Sequence, residues 1–306
     1  MVGFLGKALN RSSIEGKYKV LTTTSNDIPT CYHFSRRRNL IIAKVLEGEG
    51  YFAFSSIQSF EKFKSSKNKN ELDPSGVGVP LLHIISRKDG LFDSKVTSTI
   101  GFCLGMKKMS FIIYIYEMKS KNEPPPYNKF EIIIESETHT LYKTPFCQVT
   151  CDQLGFTKEY QFEYLHTVNI DPIGMKRDLR TENYSSNITG QKLKWNRKLT
   201  MLSLFSEDSE YELLLLEDIN NRPIPSNPKP KIAYYTKDFA DSFYGFIKRS
   251  ADLFVGEQSA ADSLGIVGVP MLTVAITCEA LVLHYVEHHR KLESRRRARR
   301  RNMHRQ

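Results

Sequence analysis

Several features that would place this chain in a secreted class are scarce. Its 306 residues hold only five cysteines, an odd number spread from Cys31 to Cys278. So few thiols favour a reducing compartment over a disulfide-stabilised scaffold. The first apolar patch, in MVGFLGKALNRSS, is too short for the apolar region of a signal peptide, and Gly3 is misplaced for myristoylation. We therefore expect a cytoplasmic protein whose sequons at Asn10, Asn183 and Asn187 stay unmodified.

Signatures of catalysis are also missing. No G-x-S-x-G nucleophile elbow occurs, and the glycines Gly76 and Gly78 precede no helix signal that would make a phosphate-binding loop. Cys147 and Cys151 have a spacing that suits a metal, but no second Cys/His pair stands nearby to complete four ligands. We therefore expect a non-enzymatic protein with no cofactor and no metal.

What the chain does contain is one long apolar segment, Val269 to Val286, in which thirteen of eighteen residues are apolar. As a helix it would be roughly 27 Å long. Its polar residues fall on different faces, so the helix must be enclosed on all sides. Cys278 and Glu279 could act as nucleophile and base. The favoured interpretation is a buried thiol and a carboxylate that either meets a Lys, Arg or backbone partner or is protonated.

About twelve strand candidates precede this helix, among them Tyr18 to Thr24, Ser98 to Leu104 and Met109 to Met118. The polar stretches at 59–73 and 171–190 are expected to be loops. Strands and helices do not alternate, which argues against doubly wound α/β folds. The pattern predicts a mainly β fold, an antiparallel closed barrel of about twelve strands around the buried C-terminal helix. Closure removes the sheet edges, and the helix fills the lumen.

Positive charge is concentrated at the C-terminus. Nine Lys or Arg against one Glu from residue 290 onward give this tail +8 of the total +10, which leaves +2 for the rest of the chain. We therefore predict one barrel domain, residues 1–289, that includes the central helix 269–289, and a basic tail, residues 290–306. Strong attraction to polyanions should reside in the tail.

The arginines are the sharpest functional signal. One interpretation is a solvated helix extension that aids solubility. A second is a lipid- or anion-binding surface on an anionic leaflet, and a third is a nuclear-import signal or a nucleic-acid arm, although no aromatic residue is interleaved for base stacking. A smaller triplet would extend the same surface if it lay near the tail. The candidate residues are Arg295, Arg296, Arg297, Arg299, Arg300 and Arg301, with Arg36, Arg37 and Arg38 as the triplet.

An alternative assigns the apolar segment to a membrane. Residues 264–286 would then be the span of a tail-anchored protein, with the arginines on the cytosolic side. Glu279 near the centre of that span argues against it, because a buried charge costs about 2.5 to 3.5 kcal/mol on insertion scales.

The predicted arrangement resembles the tubby C-terminal-like superfamily, which includes tubby proteins, phospholipid scramblases and the plant LURP-one-related proteins. The likeness rests on Trp195 and its strand, on the hairpin from Tyr211 to Lys237, and on the apolar helix from Val269 followed by basic residues. Fungal members of this group are particularly similar. The resemblance implies a barrel around a C-terminal helix and phosphoinositide binding through surface basic residues. The acidic calcium-binding segment and the palmitoylated cysteines of the scramblases have no counterpart here.

These observations lead to one functional expectation with two alternatives. We expect a non-enzymatic tubby-like protein of the cytoplasm that binds anionic phospholipid headgroups, peripherally at membranes. The alternatives are the tail-anchored membrane protein, and a nuclear protein whose arginine tail meets a nuclear-import receptor or nucleic acid.

Overall fold

The structure is a computed structural model. It describes residues 37–46, 48–65, 72–87, 109–127, 129–154, 157–165, 173–188, 190–198, 209–217, 222–224, 229–237, 246–257 and 264–303. The strands predicted at 18–24 and 98–104 lie outside these residues, as does Arg36. The side chains of Lys291 and of residues 293–303 are likewise outside the description, although their backbone is helical.

Thirteen strands and two helices make up the described chain. The helices are α1, Ile57–Ser65, and α2, Met271–Met303. The strands are β1 Arg37–Val45, β2 Tyr51–Phe54, β3 Leu82–Arg87, β4 Met109–Ser120, β5 Glu131–Glu135, β6 His139–Leu154, β7 Thr157–Tyr164, β8 Ile173–Asp178, β9 Tyr184–Ile188, β10 Gln191–Lys198, β11 Glu210–Glu217, β12 Lys231–Thr236 and β13 Ile247–Gly256.

Twelve of these strands close into an antiparallel barrel. Strands β6 to β13 follow one another around the ring, β13 pairs with β1, and β1 continues through β2 and β3 to β4. Pairing of β4 with β6 closes the ring. The closed mainly β barrel predicted from the sequence is confirmed.

The thirteenth strand, β5, belongs to an extension of the barrel. One edge of β6 pairs with β4. On the other edge, residues 140–143 of β6 pair with β5, and residues 147–154 pair with β7. Strand β4 runs on past Ile115, the last residue that pairs with β3. Residues 116–120, 131–135 and 139–143 therefore form a three-stranded extension at one end of the barrel.

Helix α2 fills the lumen. Ile276, Cys278, Leu281, Val282 and Leu283 are all fully buried, although they lie on different faces of the helix. The strands supply aromatic and aliphatic side chains around it, including Trp195. Burying each large aliphatic side chain contributes about 1.5 to 3 kcal/mol. The prediction of an enclosed central helix is confirmed.

The segment considered as a membrane span is divided in the structure. Residues 264–270 are irregular, α2 begins at Met271, which is exposed, and the enclosed part of the helix runs from Thr273 to Val286. Among the described residues, no helix combines the length and the apolar character that crossing a bilayer requires.

Two stretches predicted as loops contain regular structure. Residues 57–65 form α1, whose Phe60 ring packs on Phe54 of β2 at 5.5 Å. Residues 173–188 contain β8 and β9. The sequence did not predict β9 because one of its inward-facing residues, Ser186, is polar. The sequence YSSNI therefore lacks the alternation of apolar and polar residues that indicates a strand.

Candidate anion-binding site at the helix exit

Buried polar residues at successive positions along α2 form hydrogen bonds with the surrounding barrel. The Thr273 hydroxyl donates to Glu257 at 2.8 Å, His284 Nδ1 lies 2.7 Å from the Tyr235 hydroxyl, and Glu287 accepts from the Tyr184 hydroxyl at 3.0 Å. The three partners come from β9, from β12 and from the residue that directly follows β13. They set both the depth and the rotation of the helix, so the point where it leaves the barrel is fixed.

The central polar contact involves Glu279. Its Oε2 accepts hydrogen bonds from Trp195 Nε1 at 2.8 Å and from the Ser186 hydroxyl at 3.2 Å. Burial raises the pKa of this carboxyl group to about 7, and the two hydrogen bonds only partly offset that rise. The expectation of a Lys, Arg or backbone partner was wrong about the partner, because both groups are neutral side-chain donors from β9 and β10.

A charged cluster surrounds α2 where it leaves the barrel. Arg177 lies 3.2 Å from Glu287, whose second oxygen accepts from Arg290 at 2.8 Å. Glu182, in the β8–β9 turn, also pairs with Arg290 and with Arg197. Glu287 is fully buried. Arg290, assigned to the tail from the sequence, therefore holds the helix to the barrel rim.

A cavity of about 250 Å³ opens on another side of the same exit. Lys44 at the end of β1, Ser86 of β3, and His288 and His289 of α2 line it. Lys44 supplies an ammonium group, the two histidines supply ring nitrogens, and Glu49 is the one carboxylate of the lining. This combination of ammonium, imidazole and hydroxyl groups suits an anion such as a phosphate group.

The turn beside this cavity depends on Gly50. Its φ is +77°, and a Cβ there would lie 1.8 Å from the carbonyl oxygen of Ile84. Any other residue is therefore excluded both by the left-handed backbone and by contact with β3. The turn delivers Tyr51, whose ring meets His284, Tyr285 and His288 edge-on. Burial raises the pKa of Tyr51, so its phenol remains a proton donor.

Beyond Arg290, helix α2 continues without a break to Met303, which extends it by about 20 Å. The backbone that carries the predicted tail arginines is therefore continuous with the part of α2 inside the barrel. These residues are Arg295, Arg296, Arg297, Arg299, Arg300 and Arg301.

Of the second arginine cluster, the two described members, Arg37 and Arg38, do not lie near the tail. Arg37 and Arg38 begin β1, and Lys44 at the exit is near the other end of that strand, some 20 Å away. Arg37 is exposed and lies over the Phe254 ring at 4.9 Å. Arg38 is buried, and its Nε donates to Glu257 at 2.8 Å.

Sequence reasoning missed the cavity residues Lys44, Ser86, His288 and His289. The glycine-rich stretch GEGY before β2 signals a tight turn, but only closure of the ring brings β1, β3 and α2 together. The pair Cys147 and Cys151 lies on β6 as buried thiols. In the part of the chain that the structure describes, no group of three potential metal ligands occurs.

Comparisons with known proteins place the chain among yeast relatives. "Uncharacterized protein YOR385W" of Saccharomyces cerevisiae is 32% identical over 305 residues, which cover 94% of this chain and 98% of that protein. "Protein DIA1" of the same yeast is 26% identical over 304 residues, 93% of this chain and 88% of its own length. The search of solved structures found no match. Residues 35–292 match the DIA1 family, and this chain therefore belongs to that family.

Proposed function

We propose that this protein is a non-enzymatic tubby-like barrel that docks on anionic, phosphoinositide-containing membrane through the basic continuation of α2. The observation that supports this most strongly is the continuity of the helix. Its first half is locked in the barrel by Trp195, Tyr235 and Tyr184, and its last part bears the arginines. A cationic rod fixed to a rigid body gives the barrel a defined orientation on an anionic surface.

The energetics of this docking are simple. Each Lys or Arg near an anionic leaflet contributes about 1 kcal/mol, so six arginines are enough for measurable binding at moderate salt. The cavity that contains Lys44, His288 and His289 lies at the same end and adds one ammonium group and two imidazoles to that surface. Screening weakens such contacts, because the Debye length falls to about 8 Å at physiological ionic strength.

Vesicle flotation tests the proposal. The full chain is mixed with phosphatidylcholine vesicles that contain phosphatidylserine or a phosphoinositide, and is compared with a truncation before Lys291 and with Arg295, Arg296 and Arg297 changed to Gln. We expect recovery with anionic vesicles to drop in both variants and to decrease with salt. Neutral vesicles should recover little protein of any form.

A matched control changes three exposed lysines far from the tail, Lys64, Lys119 and Lys121, to Gln. This control removes the same charge and should float like the parent chain. If the truncated and intact chains are recovered equally with anionic vesicles, the membrane proposal is wrong, and the nuclear-import and nucleic-acid interpretations of the tail take its place.

A further inference from the structure

Two large apolar residues are exposed at the end of the barrel where α2 leaves. Leu46 directly follows β1 and Phe246 directly precedes β13, and the two residues are 49% and 44% exposed. The Leu46 amide donates to the Phe246 carbonyl oxygen at 2.9 Å, which continues the β1–β13 ladder by one pair beyond Val45 and Ile247. The barrel backbone therefore holds these two apolar residues at its rim.

A third exposed apolar side chain, Leu292 of α2, lies on the same side of the exit. It is 37% exposed and lines the exit cavity together with Lys44 and Gly48. Lys44 and Gly48 stand two positions on either side of Leu46 in the chain. The helix therefore turns this leucine toward the same part of the rim. We call Leu46, Phe246 and Leu292 the apolar tip.

The tip is supported by packing on the outer face of the barrel. Val45 and Ile247, the next pair along the ladder, belong to an apolar cluster that includes Phe60 of α1. The Phe63 ring of the same helix lies 6.0 Å from the Phe246 ring. Because the backbone behind the tip is packed in this way, the tip can meet a partner without rearrangement of the barrel.

Cations border the tip. Lys44 and Lys248 stand directly opposite each other in the β1–β13 register. Like charges in that position destabilise a strand pair, and nearby anionic groups would offset the cost. The arginines of α2 follow Leu292 in the chain, and Glu49 is the one carboxylate that lines the exit cavity. Apolar groups bordered by cations complement an anionic leaflet, whose headgroups meet the cations and whose acyl chains meet the tip.

The size of the tip favours a bilayer over a protein partner. Its three residues expose on the order of 250 Å² together, well below the roughly 800 Å² that each partner buries in a standard protein–protein interface. Entry into a leaflet needs no matching surface, because acyl chains adapt to the side chains that enter them. Each apolar side chain is then stabilised by its own removal from water.

We propose that the apolar tip enters the boundary between headgroups and acyl chains of an anionic leaflet while the arginines of α2 contact the headgroups. This inference rests on the membrane docking proposed above and adds a second, apolar anchor to it. Electrostatic attraction and apolar insertion together hold a peripheral protein more firmly than either does alone. The barrel then meets the leaflet with the β1–β13 side of its rim.

Vesicle flotation of a tip variant is the first test. The full chain with Leu46→Ser and Phe246→Ser is compared with the parent on phosphatidylcholine vesicles that contain phosphatidylserine. The matched control, Ile132→Ser with Ile133→Ser, removes two exposed apolar side chains from β5 at the opposite end of the barrel. We expect the tip variant to partition about tenfold more weakly, because two side chains lose their burial, and the control to match the parent.

Fluorescence quenching by brominated phosphatidylcholine is the second test, because it reports which indole reaches the acyl chains. Phe246→Trp places an indole at the tip, and Ile132→Trp places one on β5 as the control. Trp195 is fully buried in the barrel, so the emission of the parent chain should change little. We expect quenching in Phe246→Trp alone. The melting temperature of each variant checks that the fold persists.

The outcomes separate this inference from the membrane proposal. If the tip variant floats like the parent, or if Phe246→Trp is not quenched, the tip does not insert. The membrane proposal then still stands, provided that the truncation before Lys291 lowers recovery. If no form of the chain floats with anionic vesicles, both proposals are overturned. A dimer in sedimentation that the tip variant dissociates would make the tip a self-association surface and overturn its insertion.

Discussion

Trp195 Nε1 donates a 2.8 Å hydrogen bond to Glu279 Oε2, which joins strand β10 to the middle of the central helix. Both residues are fully buried. The contact places the one tryptophan of the chain against a carboxyl group whose pKa is raised to about 7. This single contact thus links the packing of the barrel to the pH dependence of its stability.

Glu279→Gln should flatten the dependence of stability on pH. The folded pKa of Glu279, about 7, lies above its ordinary value of 4.5, so the stability it contributes is full below pH 4.5 and is lost as the pH rises to about 7. The loss is about 3 kcal/mol. Urea unfolding at pH 5, 6, 7 and 8 measures it. As a control, Glu135→Gln at an exposed position should show the same dependence of unfolding free energy on pH as the parent chain. If Glu279→Gln also shows that dependence, the raised pKa of Glu279 is not its cause.

Glu287→Gln should be among the most destabilising single changes. It removes the closest countercharge of buried Arg177, which lies 3.2 Å away, and breaking such a buried pair costs about 3 to 5 kcal/mol. Adding Arg177→Met should restore part of the loss, because no buried charge then remains unpaired. Thermal or urea unfolding of Glu287→Gln, of Arg177→Met and of the double variant gives the coupling free energy between the two side chains. Losses that simply add in the double variant would argue against the pair. As a control, Lys64→Gln removes the exposed ion pair with Glu61 and should change stability little.

Arg37 and Arg38 should differ in effect although they are neighbours. Arg38→Met leaves the buried carboxylate of Glu257 without its guanidinium partner and should cost about 3 to 5 kcal/mol. Arg37→Met removes a side chain that is exposed and lies over the Phe254 ring, a contact worth about 0.5 to 1 kcal/mol. Because both lie far from the helix exit, neither should alter vesicle recovery of the folded chain. Reduced flotation of a folded Arg37→Met variant would show that this end also meets the membrane.

Truncation should reveal where the barrel ends. A chain that stops before Lys291 keeps Arg290 and its pairs with Glu182 and Glu287, so its melting temperature should stay within a few degrees of the parent. A chain that stops before Glu287 loses those pairs and the Tyr184 hydrogen bond, and should melt much earlier. Trp195 fluorescence follows both transitions. Equal melting of the two truncations would mean that the exit cluster does not stabilise the barrel.

Much of the fold follows from local sequence pattern. A segment as apolar as Val269 to Val286 must be enclosed, and many short strands without intervening helices can enclose it only by closing on themselves. The segregation of charge into the last seventeen residues is likewise visible in the sequence. These inferences succeed because they depend on periodicity and composition, which are properties of contiguous residues.

The site depended on contacts between residues far apart in the chain. Residues 171–190 read as a loop because Ser186 is polar, yet that serine faces inward to reach Glu279, ninety-three positions away. Arg38 was a candidate anion-binding residue, yet it is buried and its Nε donates to Glu257, which directly follows β13. The sequence by itself determined that a helix is enclosed and where positive charge collects. Only the tertiary structure decided which polar groups meet inside the barrel and which cations share its exit, because strand register, not local composition, sets those pairings.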